Sequence, residues 1–90
     1  MTPDPARLHR VAFQLRFPTE DAATQAAARL DELAFATGVE RDDAEDGWGV
    51  LASKRMYPVA SDIEALIEKL KLVATEGGGA YSGWSATPLG

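Results

Sequence analysis

Residues 8–17 read LHRVAFQLRF, and the alternation of their side chains decides the fold. Every second position is apolar or a histidine, from His9 through Phe13 to Phe17, and the positions between them are mostly polar or small. Successive side chains of a strand point to opposite faces of its sheet. This period of two therefore predicts a strand with one buried face and one open face.

A helix is predicted directly after this strand. Thr19 can cap it, and Glu20 and Asp21 suit the positive end of the helix dipole. Gly38 is expected to end it in the left-handed conformation. Its apolar residues recur at helical spacing and are mostly alanine, which allows close approach to a sheet. They are Ala23, Ala26, Ala27, Leu30, Leu33 and Ala34.

The second helix has the clearer signals. Ser61 and Glu64 have the spacing of a capping box, and Gly77–Gly79 provides a stop. The apolar stripe between these signals has the helical pattern i, i+3, i+4, i+7. It consists of Ile63, Leu66, Ile67, Leu70 and Val73 or Ala74.

Three further strands complete the pattern. Val39 to Asp43 is a weak candidate, and Ala44 to Gly47 has the composition of a turn. Trp48 to Tyr57 is the next strand, and its alternation does not decide which of its two faces is buried. Ala80 to Ser85 is the last strand. The order strand, helix, strand, strand, helix, strand predicts an α+β, ferredoxin-like βαββαβ sandwich. Its four-stranded antiparallel sheet would carry both helices on one face.

Composition sets the class of protein. A chain of 90 residues with 46% hydrophobic and 26% charged residues has room for one domain. We place that domain at residues 8–85, between a frayed segment 1–7 and a tail 86–90. The absence of Cys excludes disulfides and thiolate chemistry. The first ten residues lack the apolar stretch of a signal peptide, and no run is long enough to span a membrane, so we expect a cytoplasmic protein.

The net charge of −5 comes mostly from one acidic stretch. Such a charge opposes binding to a nucleic acid backbone and favours a basic protein partner. The stretch does not match a calcium loop, because Ala44 and Ser53 occupy ligand positions. Only Arg41 opposes its five acids, which are Glu40, Asp42, Asp43, Glu45 and Asp46.

Catalytic and nucleotide-binding patterns are weak. His9 is the only histidine, and its place in the alternation predicts a packed core residue and not a general base. Gly77–Gly79 follows a helix and lacks the Lys of a phosphate-binding loop. Arg10, Arg16 and Tyr57 can share the open sheet face, but no stacked-aromatic RNA-binding motif accompanies them. We predict no catalytic residue, cofactor or metal.

The last strand carries Tyr81, Ser82, Gly83 and Trp84. Two large aromatic residues here can supply core area, or they can anchor a partner at the sheet edge. The segment Gly79 to Trp84 resembles the C-terminal Tyr-Asp-Gly-Trp-Glu motif of the regulator of ribonuclease activity B family. Phe17 to Ala23, and Gly47-Trp48 with Met56 to Pro58, agree with this resemblance, although Ser82 and Ser85 stand where acids are usual.

The resemblance implies a cytoplasmic bacterial protein that binds ribonuclease E and lowers its activity through protein contact, with a ferredoxin-like fold and no catalytic residues. The expected partner-binding residues are Tyr81, Gly83, Trp84 and the acids of the 40–46 stretch. The alternative is a small-molecule-binding or enzymatic domain that forms a homodimer through the open sheet face.

Overall fold

A computed structural model of the chain describes residues 6–42 and 47–89. Its elements are β1 (His9–Phe17), α1 (Glu20–Glu32), β2 (Ala36–Asp42), β3 (Gly47–Met56), α2 (Ala60–Glu76) and β4 (Ala80–Pro88). The strands form one antiparallel sheet in the order β2-β3-β1-β4. This architecture confirms the predicted ferredoxin-like α+β fold.

The predicted burial of β1 is confirmed. All five residues of its apolar series are at most 3% exposed, and His9 is among them. Leu30 of α1 and Leu70 of α2 are fully buried in the same cluster. Both helices therefore cover one face of the sheet, and the other face is open to solvent.

Helix α1 begins as predicted but ends early. The Thr19 hydroxyl accepts a hydrogen bond of 3.2 Å from the backbone N–H of Ala22. The prediction that Gly38 ends the helix is wrong, because Ala34 takes the left-handed conformation with φ 69° and Gly38 lies within β2. The Phe35 N–H donates to the Leu30 carbonyl at 3.1 Å, as in a Schellman turn.

Burial of Phe35 explains the early end. This ring is only 6% exposed, and it packs edge-on against Phe13 with centroids 6.0 Å apart. If the helix continued to Gly38, this ring would be displaced from its position in the core. Leu33 and Ala34 consequently lie outside the helix and are exposed, contrary to their predicted place in the apolar stripe.

The predicted capping box of α2 is also wrong. Val59 is the N-cap and makes no side-chain capping bond, and Ser61 lies within the first turn. The chain turns earlier because Pro58 ends the preceding segment and the Val59 N–H bonds to the carbonyl of Tyr57 at 2.8 Å. The apolar stripe is confirmed, and the helix ends at Gly77 with Gly78 at φ 73°.

The strands differ from the prediction mainly in extent. β2 begins at Ala36, and β4 continues to Pro88, three residues beyond its predicted end. Val50 and Ala52 are the buried residues of β3, which settles its orientation and leaves Leu51 45% exposed on the open face. The predicted turn at 44–47 lies almost wholly outside the described residues. Among the described residues, no helix is long and apolar enough to cross a membrane.

Candidate functional site

Strand β4 contains a β-bulge at the motif singled out in the sequence. Gln14 faces Gly83 and Leu15 faces Tyr81, so Ser82 is the additional residue. Gly83 has φ 155°, a value that a residue with a side chain rarely adopts. The bulge changes which face the aromatic residues occupy. Tyr81 and Trp84, three residues apart, would lie on opposite faces of a regular strand but here both face the helices.

Tyr81 packs against the hydrophobic core. It is half-buried against the core cluster, beside its cross-strand neighbour Leu15. Its hydroxyl is buried and has no hydrogen-bond partner among the described residues. Burial raises the pKa of this phenol above its ordinary value of 10.0, so it stays neutral in the physiological range.

Trp84 is more accessible. It lies opposite Phe13 on the edge strand and is 39% exposed. The two rings of the motif therefore differ in placement, since Tyr81 contributes to the core and Trp84 presents much of its indole at the sheet edge. A partly exposed Trp on a rigid strand is the type of residue that anchors protein interfaces.

The described part of the acidic stretch lies at the opposite edge of the sheet. Glu40 is exposed on β2, and its neighbour Gly49 on β3 pairs in turn with Arg16, which places Glu40 on the open face. Asp42 is the last residue of β2. Asp43, Glu45 and Asp46 lie outside the described residues. Because three strand spacings, about 14 Å, separate β2 from β4, the two predicted surfaces are distinct.

His9 has the placement predicted for a packed residue. It is 3% exposed, and its Nδ1 is 2.8 Å from the carbonyl oxygen of Arg7. The imidazole is therefore held at the start of β1 beneath the helices. A general base must reach a bound substrate, and this ring faces the protein interior.

The open face carries arginines that the sequence reasoning did not bring together. Arg10 on β1 lies directly opposite Arg55 on β3. The sequence predicts Arg10 on this face, but the ambiguous alternation of β3 does not assign Arg55 to either face. Further along, the missing side chain of Gly49 leaves a shallow groove of about 370 Å³ between Arg16 and Glu40.

Comparison with known proteins places the chain in a family. The family model described as regulator of ribonuclease activity B matches residues 2–86. No curated protein matches the chain.

Proposed function

Because the chain belongs to the regulator of ribonuclease activity B family, we propose that it lowers the activity of ribonuclease E by binding that enzyme. The observation that carries this proposal is the family match, which covers residues 2–86 of a 90-residue chain. The protein acts here as a non-catalytic domain, so its effect depends on the fraction of enzyme that it occupies. The family resemblance also supports a cytoplasmic, bacterial setting for this contact.

The burial of the sole histidine supports a non-catalytic role. His9 is held among core residues with Nδ1 at the Arg7 carbonyl. The phenol of Tyr81 is enclosed as well, and its raised pKa keeps it protonated. Neither group is placed to exchange protons with a substrate in solution.

Trp84 is the proposed anchor of the contact. It is 39% exposed, and strand β4 holds it against its neighbour β1. Gly83 permits the bulge that brings Trp84 to the helix side, where Tyr81 packs against the core. A partner that covers the β4 edge would bury the rest of the indole at little cost in side-chain entropy.

The acidic stretch that begins on β2 is proposed to steer the partner. Glu40, Asp42, Asp43, Glu45 and Asp46 concentrate most of the net charge of −5 in one stretch. Charged groups around an interface raise association rates with an oppositely charged partner more than they raise affinity. The proposed partner surface on ribonuclease E is therefore basic.

The first experiment measures cleavage of a fluorogenic RNA by purified ribonuclease E with increasing amounts of the full chain. We expect the rate to fall as the chain approaches the enzyme concentration. About thirtyfold more of the Trp84→Ala variant should be needed for the same inhibition, because interface anchors contribute about 2 kcal/mol or more to binding. Leu33→Ala is the matched control, since Leu33 is 44% exposed at the end of α1, the helix that packs over β2 and β3 at the far side of the sheet.

Two outcomes would count against this proposal at different levels. A cleavage rate that stays constant in a large excess of the chain rejects the inhibitor function. Equal losses for Trp84→Ala and Leu33→Ala retain inhibition but reject Trp84 as its anchor.

The second experiment measures association rates at low and moderate salt. Neutralising Glu40 and Asp42 together (E40Q/D42N) should slow association and flatten its salt dependence, with a smaller change in the dissociation rate. The control variant E64Q/E68Q removes the same charge from exposed positions of α2. Equal slowing in both variants would show that only net charge matters and would reject a specific steering role.

A further inference from the structure

The open sheet face carries an unusual charge pair. Arg10 and Arg55 are direct cross-strand neighbours on β1 and β3. Like charges in this arrangement repel and destabilise a sheet. Within residues 6–42 and 47–89, neither guanidinium forms an ion pair or a hydrogen bond. The fold therefore holds two exposed, uncompensated positive charges side by side.

The described acid on the same face is too distant to neutralise this pair. Glu40 faces Gly49, six residues before Arg55 along β3, which corresponds to about 20 Å of extended strand. The Debye length at physiological salt is about 8 Å. The attraction of Glu40 for either arginine is consequently screened.

An apolar row borders the two arginines. Leu8 continues the register of β1, and its carbonyl accepts a hydrogen bond of 3.2 Å from the N–H of Leu89 at the end of β4. Tyr57 follows the end of β3 in the same register. Leu8 and Leu89 are each 39% exposed, and Tyr57 is 54% exposed. We call Leu8, Arg10, Arg55, Tyr57 and Leu89 the arginine patch.

We propose that the arginine patch binds an acidic peptide segment, in which carboxylates adjoin apolar side chains. Two guanidiniums can each hold a carboxylate with paired hydrogen bonds. The apolar row lies about 7 Å further along the strands, two residues away, within reach of the next side chains of an extended peptide. Arginine and tyrosine beside apolar area are the composition of interface anchors.

The observations favour a short acidic peptide over RNA as the occupant. The protein carries a net charge of −5, which repels a polyanion at long range, and only two positive charges lie in the patch. Tyr57 is its single aromatic ring, so consecutive bases have no stacking platform. The patch lies on the open face, whereas Trp84 faces the helices, so this proposal stands whether or not the chain binds ribonuclease E through Trp84.

The test is a fluorescence-anisotropy titration of the full chain with a short labelled peptide in which glutamates alternate with phenylalanines. We expect saturable binding. R10Q/R55Q should weaken this binding about a hundredfold, because each charge-assisted contact contributes about tenfold to the affinity. The control K69Q/K71Q removes the same charge from exposed positions on α2 and should bind as the original chain does. In addition, R10Q/R55Q should unfold at an equal or higher urea concentration, since it relieves a repulsion.

Several results would overturn the proposal. They are no binding at millimolar peptide, equal weakening by the two double variants, and tighter patch-dependent binding of a single-stranded RNA oligonucleotide. Sedimentation of the chain alone gives another, because a dimer that R10Q/R55Q dissociates would assign the patch to a second copy.

Discussion

The two helix–strand connections of this fold are built on the same turn with different residues at its centre. α1 and α2 both end with one residue in the left-handed conformation, Ala34 at φ 69° and Gly78 at φ 73°. This conformation costs an alanine about 1 kcal/mol and costs glycine almost nothing. The first connection is therefore under strain that the second avoids.

The residues after each turn show why both arrangements persist. Phe35 follows Ala34 directly and enters the core against Phe13. Gly79 takes the equivalent place after Gly78, where a Cβ would overlap the backbone carbonyl oxygen of Arg16. One connection is thus stabilised by a buried side chain, and the other requires that no side chain be present.

Removal of the buried ring should break the first connection. Phe35→Ala should lower the free energy of unfolding by about 3–5 kcal/mol, because it leaves a cavity beside Phe13 and removes the contact that compensates for Ala34. Urea denaturation measures this change. Leu33→Ala is the control, since Leu33 is 44% exposed; similar losses in the two variants would contradict the assigned role of Phe35.

A methyl group at the second connection should have the next largest effect. Gly79→Ala should destabilise by about 3 kcal/mol, because the backbone of β4 must move away from Arg16 and from the ring of Phe17. Gly38→Ala serves as the control, because nothing lies within 4 Å of a Cβ at Gly38. Thermal unfolding that ranks Gly38→Ala as the more damaging change would refute this explanation.

The aromatic residues that follow the two turns, Phe35 and Tyr81, also differ. Phe35 has no polar atom, whereas the buried hydroxyl of Tyr81 lacks a partner among the described residues. Tyr81→Phe makes the second connection resemble the first, and it should stabilise by about 1 kcal/mol.

The effect of Tyr81→Phe should depend on pH with a definite sign. The pKa of Tyr81 is raised by burial in the folded state, so above pH 10 the unfolded chain loses this proton before the folded chain does. Stability linked to this group is full below that pH and falls as pH rises. Denaturation curves should therefore show the advantage of Tyr81→Phe growing between about pH 9 and 11, and an advantage that stays constant over this range would contradict the burial of the phenol.

The smallest predicted effects compare the turn centres themselves. Ala34→Gly should stabilise by about 0.5–1 kcal/mol, and Gly78→Ala should destabilise by a similar amount. The two midpoints in urea should therefore shift in opposite directions. Shifts in the same direction would show that the two turns are not equivalent in energy.

These connections also mark how far the fold could be predicted from sequence. Gly77–Gly79 stands where glycine is needed, and the end of α2 was correctly predicted from it. The sequence predicts the end of α1 at Gly38, because glycine favours the left-handed conformation, and only the tertiary burial of Phe35 moves the turn to Ala34. Ser61 similarly looked like a cap, although the turn after Pro58 starts the helix earlier.

The residues of the candidate site could be predicted from the sequence, but their arrangement in space could not. A spacing of three residues places Tyr81 and Trp84 on opposite faces by simple alternation, and the bulge at Ser82 reverses that result. A bulge depends on pairing with a distant strand, so local sequence does not reveal it. The neighbouring positions of Arg10 and Arg55 likewise follow from register, which connects residues far apart in the chain.

The unequal exposure of the two tryptophans gives the molecule an optical reporter. Trp48 packs against the core, while Trp84 is 39% exposed at the β4 edge. An indole that leaves water emits at shorter wavelength, so a partner that covers β4 would shift the emission of Trp84 and leave that of Trp48 nearly constant. Replacing Trp48 with Phe would leave one emitter, and occupancy of the edge could then be followed in real time without a label.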